Sequence, residues 1–282
     1  LAETVPYIGA KAVQDAGVDG KGVRVAVLDS GIDYTHSKLG GSGSVGDYSL
    51  CYATNTTIDD CAFYPNAKVV GGYDFVGEAW PSGALVPDPD PIAMAGSGFH
   101  GTHVADIIAG LESVSGAGDK GVAPGASLYA VKVCSAVSSS CSGVALLEGM
   151  DFALDPDGDG DISDAVDVIN LSLGSSYGQR EDDSSAATAN ASKFGVTVVV
   201  SAGNSADRPF IAGSPSTTPE VISVAQTNVP SALTYALLVN SPAAIAGAYP
   251  NTNTVDWAPI TDGFTGDVTY TGDLGAPLAC DP

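Results

Sequence analysis

The feature that most constrains the fold is a series of six short apolar runs, rich in valine and isoleucine, with polar or helix-like segments between them. The runs lack polar alternation, which is typical of strands that are covered on both faces. Such strands, alternating with helices, form parallel sheets through crossover connections. The predicted strands are Val23–Leu28, Lys68–Tyr73, Ser127–Val133, Val166–Leu171, Val196–Ser201 and Val221–Ala225.

Helical patterns lie between these runs, and polar, glycine-rich insertions at Gly40–Asn66 and Val76–Gly98 separate the units. We therefore predict an α/β fold, a parallel sheet with helices on both faces. The predicted helices are Val5–Ala16, His100–Leu111, Val144–Leu154 and Ser184–Phe194.

The character of the sequence changes after Ala225. From residue 228 onwards there is no helical pattern, and turn-forming residues separate short strand-like pieces at Leu233–Val239 and Val268–Thr271. We predict an α/β domain over residues 1–226. Residues 227–282 are predicted to begin a β-rich unit that is too short to close its own core.

Asp29 ends the first apolar run and precedes Ser30 and Gly31. In an open α/β sheet, the carboxyl ends of the strands line the ligand crevice, so a polar residue there faces a functional site. A lone aspartate at a strand end is more often a helix cap or a turn former. Asp29 alone does not decide between these roles.

Two of the three histidines, His100 and His103, share the segment His-Gly-Thr-His-Val-Ala. A helical zinc pair places its histidines four residues apart with a glutamate between them. Here the spacing is three and no acid intervenes, which argues against a metal. The third histidine, His36, is predicted to lie at the surface or to serve packing.

Taken in order, residues 25–33 (Val-Ala-Val-Leu-Asp-Ser-Gly-Ile-Asp), 100–105 and 201–204 (Ser-Ala-Gly-Asn) resemble three blocks of the subtilisin-like serine proteases. These are the aspartate, histidine and oxyanion-asparagine blocks. The resemblance covers about residues 1–226 and implies a subtilisin-like fold. It implies that Asp29 orients His100, that His100 is the general base, and that Asn204 donates a hydrogen bond to the oxyanion. It also implies that His103 points into the interior.

The resemblance further implies a substrate cleft, because residues 171–174 and 202–203 are similar to the two walls of the family's primary specificity pocket. Glycine in both walls leaves room for a large side chain, and the substrate would bind as an extended strand. We expect broad endopeptidase activity with an apolar preference at P1, the residue before the cleaved bond. The implied substrate-binding residues are Ser172, Leu173, Gly174, Ala202 and Gly203.

Two departures from the family pattern are visible. The serine block, Gly-Thr-Ser-Met-Ala, occurs nowhere in the 282 residues. Asp106 stands where the family usually has glycine, and an acid there complements the helix dipole or raises the pKa of a nearby histidine. Many extracellular members carry a protease-associated domain before the serine block, and residues 278–282 are similar to the start of such an insert.

We therefore expect the amino-terminal part of a secreted serine endopeptidase that acts by a Ser-His-Asp mechanism. Its nucleophile, and a partner for Cys280, would lie in the remainder of the protease, so this chain alone should be inactive. The alternative is a non-catalytic pseudoprotease that binds peptides.

Four aspartates alternate within residues 155–161 (Asp-Pro-Asp-Gly-Asp-Gly-Asp). So much negative charge requires solvation or a hard cation with oxygen ligands. The spacing resembles the start of an EF-hand loop, but its twelfth position is Val166 instead of glutamate. Two interpretations stay open: a solvated acidic turn, or a calcium site formed by Asp155, Asp157, Asp159 and Asp161.

Close cysteine pairs bracket polar loops, which predicts disulfides Cys51–Cys61 and Cys134–Cys141 and an extracellular setting; unpaired thiols are the alternative. The net charge of −23 argues against nucleic acid or an anionic membrane as partner. No run approaches the roughly 18 apolar residues that span a bilayer. The expected partners are protein or peptide substrates.

Overall fold

The computed structural model describes residues 1–58, 61–95, 99–113, 116, 119–205, 208–227, 229, 235–252 and 266. The helices in these residues are α1 (Thr4–Tyr7), α2 (Ala10–Asp15), α3 (Val45–Ala53), α4 (His100–Ala109), α5 (Gly143–Leu154) and α6 (Asp183–Lys193). The strands are β1 (Arg24–Asp29), β2 (Val69–Asp74), β3 (Ser127–Lys132), β4 (Val168–Leu171), β5 (Thr197–Ser201), β6 (Ile222–Val224), β7 (Tyr235–Val239) and β8 (Gly247–Thr252).

Strands β1 to β6 form one sheet in the order β2-β3-β1-β4-β5-β6, and every neighbouring pair is parallel. Strand β1 is central: Val27 is in register with Ala130 of β3 and with Asn170 of β4. The predicted α/β class is confirmed. All six predicted strands are present, with ends within two residues of the prediction.

Helices cover both faces of the sheet, and this explains the continuous apolar runs. Side chains alternate between faces along a strand. On one face, Ala26 and Leu28 of β1 pack in a core with α5 and α6. On the other, Val25 and Val27 pack with α4. Strand β1 is therefore held from both sides, and so is the residue that ends it.

One local prediction was wrong, and one helix was not predicted. The single helix predicted over Val5–Ala16 is two helices, because Gly9 adopts a left-handed conformation (φ +80°) that an α-helix cannot contain. The polar insertion Gly40–Asn66 contains α3, which begins after Ser44, whose hydroxyl accepts a hydrogen bond from the backbone N–H of Asp47 at 3.4 Å. A serine followed three positions later by an acid was a signal for this helix.

Both predicted disulfides are present. Cys51 is bonded to Cys61 and Cys134 to Cys141. The first bond joins α3 to the loop before β2 and is buried in the same core as α4. It therefore closes a loop within the insertion, and both cysteines pack in the core on the side of the sheet that carries His100.

The chain divides into two compact units, Leu1–Val229 and Pro230–Pro282. In the second unit, β7 and β8 form an antiparallel pair with Leu237 opposite Tyr249. The predicted strand at Val268–Thr271 and Cys280 lie outside the described residues, and the assignment of residues 227–282 to a protease-associated insertion stays a prediction. Across the described ranges, no helix combines the length and apolar character needed to cross a membrane.

Candidate active site

The centre of the candidate site is a hydrogen-bonded pair at the carboxyl end of β1. Nδ1 of His100 lies 2.8 Å from Oδ1 and 3.0 Å from Oδ2 of Asp29. The aspartate side chain is 2% exposed, whereas the imidazole is 56% exposed. Bonding of Nδ1 to a carboxylate favours the neutral tautomer that carries its proton on Nδ1 and a free lone pair on Nε2. The outer edge of the ring is thus set up to accept a proton.

Contacts between the two sequence blocks position this pair. The backbone N–H of Gly101 donates to the hydroxyl of Ser30 at 3.0 Å, and the N–H of Asp33 donates to Thr102 at 2.8 Å. A Cβ atom at Gly101 would lie 2.3 Å from the carbonyl oxygen of Gly31. Helix α4 can therefore approach the turn after β1 this closely only because residue 101 is glycine.

Electrostatics at the pair follow from these contacts. The hydrogen bond that His100 donates to Asp29 raises the pKa of His100 above its ordinary value, although partial burial of the ring opposes the shift. Asp106 does not take part, because its carboxylate lies 2.9 Å from Nζ of Lys38. The carboxylate that was predicted to complement the helix dipole or to act on a nearby histidine is thus paired with a lysine that is distant in sequence.

His103 does not point into the interior, contrary to the prediction, but is exposed. Helix α4 packs against the core with Val104, Ala105 and Ala109. Residue 103 lies about 100° from residue 104 around the helix axis, outside this buried face. His36 is also exposed, as one of its predicted roles required, and its Nδ1 accepts a hydrogen bond from the N–H of Lys38.

Asn204 follows the carboxyl end of β5, at the same edge of the sheet as Asp29 because the strands are parallel. Asn204, Gly203 and Ser172 line one cavity of about 260 Å³. Of the predicted cleft residues, Ser172 and Gly203 are therefore brought together with the asparagine.

The other three predicted cleft residues do not line this cavity. Leu173 packs against the core that lies under α5 and α6. The N–H of Ala202 donates to the carbonyl of Val224 at 2.9 Å, which ties it to β6. Gly174 lies against the backbone of Ser214, where a Cβ would come within 2.9 Å of the carbonyl oxygen. Backbone pairing and core packing explain these positions.

Asn170 is a site residue that the sequence reasoning missed. It lies in β4, lines the same cavity, and its Nδ2 donates to the hydroxyl of Ser172 at 3.0 Å. An asparagine inside the apolar run Val-Ile-Asn-Leu was a signal, because an amide in a buried strand needs a partner.

A buried charge cluster beside Asp29 was also missed. Lys132, which is in register with Asp29, is fully buried and lies 2.8 Å from Oδ2 of the equally buried Asp74. Its Nζ also contacts Glu78, which accepts a hydrogen bond from the hydroxyl of Tyr52 at 2.6 Å. A cation held in this way neutralises acids at the end of β2 that would otherwise repel the aspartate.

The segment that follows Asp74 and Glu78 of this cluster in sequence contains two buried aspartates, Asp88 and Asp90. Burial raises the pKa of Asp88 to about 7 and that of Asp90 to about 6. Asp88 pairs with Asp74 through two backbone hydrogen bonds, and the carbonyl of Pro91 accepts from the N–H of Ile32 at 3.0 Å. This segment thus links the end of β2 to the turn that follows Asp29.

Three of the four aspartates predicted to bind calcium lie close together in the acidic loop. Asp155, Asp157 and Asp159 each offer a carboxylate oxygen, all within 4.8 Å of one another. Asp161 is not in this group; its Oδ1 accepts a hydrogen bond from the N–H of Ser163 at 2.8 Å and caps the turn at residues 162–164. Three oxygens at this spacing fit a calcium ion, whose ligands lie about 2.3–2.6 Å from the metal.

Comparison with known proteins decides the family. The profile of the subtilase family matches residues 20–258. The chain belongs to the subtilase family. It is 33% identical over 230 residues to the minor extracellular protease Vpr of Bacillus subtilis (strain 168), with 82% of this chain and 23% of Vpr covered.

Other subtilases are comparably similar. Subtilisin DY of Bacillus licheniformis is 35% identical over 211 residues, which cover 72% of this chain and 57% of that protein. Sphericase, a solved structure, is 26% identical with a TM-score of 0.49, over 75% of this chain and 57% of that one. The chain thus spans between about a quarter and three fifths of the length of these relatives.

Proposed function

We propose that this subtilase chain supplies three catalytic groups of a secreted serine endopeptidase. These are the aspartate that orients the histidine, the histidine that acts as general base, and an asparagine that donates to the oxyanion. The observation that carries the proposal is the buried carboxylate of Asp29, bonded at 2.8 Å to Nδ1 of His100 at the end of the central strand. The nucleophilic serine comes from sequence outside these 282 residues, because the serine block is absent from them.

The chemistry follows from the geometry of this pair. Nε2 of His100 takes the proton of the serine hydroxyl as its oxygen attacks the peptide carbonyl, and Asp29 stabilises the imidazolium that forms. Asn204 donates to the oxyanion of the tetrahedral intermediate, an interaction whose loss costs about 10²–10³ in rate in subtilisin. His100 then protonates the leaving amine, and water hydrolyses the acyl-enzyme in the same way.

The cavity beside Asn204 supports a preference for apolar P1 residues. Val199, Val200, Val224 and Ala225 contribute apolar side chains to its lining, beside polar ones that include Asn170, Ser172 and Asn204. Broad specificity follows, since a hydrophobic pocket discriminates weakly between apolar side chains of similar size.

Secretion and calcium binding complete the proposal. Two disulfides suit an oxidising compartment, and Vpr is described as an extracellular protease. Asp155, Asp157 and Asp159 would hold a calcium ion, which would neutralise their mutual repulsion and stabilise the loop before β4. The remainder of the protease would also provide the partner of Cys280.

The deciding experiment is the intact mass of the natural protein after treatment with a fluorophosphonate serine probe. A labelled longer chain or companion fragment supports the protease. Labelling should disappear in His100→Ala and persist in His103→Ala, a matched control because His103 is exposed on the same helix. A mass that equals these 282 residues, with no label anywhere, would refute the enzyme and favour the peptide-binding pseudoprotease.

A further inference from the structure

A second cavity, of about 360 Å³, has a wall of aromatic rings. Tyr64, Tyr129 and Phe152 line it, and the last two rings meet edge to face with their centroids 6.1 Å apart. Gly71 of β2 keeps one side open, because a Cβ atom there would lie 2.8 Å from Cε1 of Tyr129. The strand therefore leaves ring surface uncovered where an ordinary side chain would meet it.

Acidic residues also line this cavity. Asp157 and Asp164 line the same cavity, and Oδ2 of Asp164 accepts a hydrogen bond from the N–H of Asp157 at 3.0 Å. Oδ1 of Asp164 is shielded from solvent and receives no hydrogen bond from any residue that the structure describes. The carboxylate that lines the cavity can attract a positively charged group placed there through its other oxygen, Oδ2.

We infer that this cavity binds an organic cation, an alkylammonium or guanidinium group, between the aromatic rings and Asp164. The negative faces of the rings attract a cation that also has apolar surface, and the carboxylate fixes its position. No lysine or arginine is among the described residues that line the cavity, so the cation comes from a ligand or from another protein. A calcium ion prefers oxygen ligands throughout and would make no use of the rings.

The first test compares choline with 3,3-dimethylbutan-1-ol, which has the same shape without the charge. Binding to the protein is followed by calorimetry and by the NMR signals of the tyrosine and phenylalanine rings. Choline should bind at least about tenfold more tightly than the alcohol. Arginine amide, titrated in parallel, separates a guanidinium site from an alkylammonium site. Equal binding of choline and the alcohol, or no binding of either cation, would overturn the inference.

The second test uses variants. Asp164→Asn keeps an oxygen that can accept the N–H of Asp157 but removes the charge, and should weaken binding of the tighter cation about tenfold. Asp151→Asn removes the same charge from an exposed position beside Phe152 and should leave affinity unchanged within about twofold.

Three results with the variants and with calcium would contradict the inferred cation site. An equal loss in the two aspartate variants would show that only the overall negative charge attracts the cation. Calcium that shifts the ring signals and excludes choline would assign these acids to the metal instead. Phe152→Leu, which stays apolar, should weaken the cation but not the neutral alcohol; equal weakening of both would show simple hydrophobic binding.

Discussion

Gly101→Ala tests directly how the site is assembled. The new methyl carbon would lie 2.3 Å from the carbonyl oxygen of Gly31 and 3.0 Å from Cβ of Asp29. Ordinary contacts begin at 3.4 Å, so the start of α4 must move away from β1 by about 1 Å. This movement would lengthen the hydrogen bond between His100 and Asp29.

The size of the expected loss of stability and activity follows from the overpacking at residue 101. A methyl group forced into a rigid backbone contact destabilises the fold by about 1–3 kcal/mol. In the complete protease, a displacement of about 1 Å should lower kcat/KM about 10²-fold. The pKa of His100 should fall towards its ordinary value, because its hydrogen bond to Asp29 is what raises it.

The pH dependence has a definite sign. Because the pKa of His100 is raised in the folded state, the pair stabilises the protein fully below the ordinary histidine pKa, and this stabilisation is lost as pH rises through the folded-state value. Gly101→Ala removes this contribution, so the difference in unfolding free energy between the wild type and the variant should be larger at pH 5 than at pH 9.

The assay combines NMR titration of His100 with urea unfolding at the two pH values. Gly143→Ala is the matched control, because a Cβ there meets nothing within 4 Å and the residue begins α5. It should leave the titration unchanged and stabilise the protein slightly. If Gly101→Ala leaves both the His100 titration and the unfolding free energy unchanged, then close docking of α4 does not position the pair.

Three further perturbations test the surroundings of the site. Lys132→Met should lower the unfolding free energy by about 3–5 kcal/mol in urea titrations, because it leaves Asp74 buried without its cation; a loss under 1 kcal/mol would contradict a buried ion pair. Burial raises the pKa of Asp88 from 3.8 to about 7, so its contribution to the unfolding free energy declines as pH rises from 5 to 8. Asp88→Asn should remove this decline. An unchanged slope of unfolding free energy against pH would refute the prediction. Replacing Cys51 and Cys61 by alanine should lower the unfolding free energy by about 2–3 kcal/mol, because their bond closes a loop between residues 10 apart. Calorimetry that finds no change in Tm would contradict this stabilising role.

Local sequence patterns determined the framework of the sheet. A strand buried on both faces must be apolar at successive positions, so the runs that became β1 to β6 were visible without any knowledge of their neighbours. The blocks around Asp29 and His100 were visible through their resemblance to the subtilisin-like proteases. The structure adds the physical reason for their glycine and serine, which let helix α4 approach the end of β1 closely.

Other features depended on contacts between distant segments, which only the tertiary structure decided. Lys132 is a charged residue within the predicted strand Ser127–Val133, yet it is fully buried because Asp74, 58 residues earlier, arrives beside it in the folded sheet. His103 is exposed although the resemblance placed it in the interior, because the orientation of α4 is set by the side chains it packs against. The free energy of burying a charge or turning a helix depends on the partner that tertiary packing brings close, and a local pattern does not contain that partner.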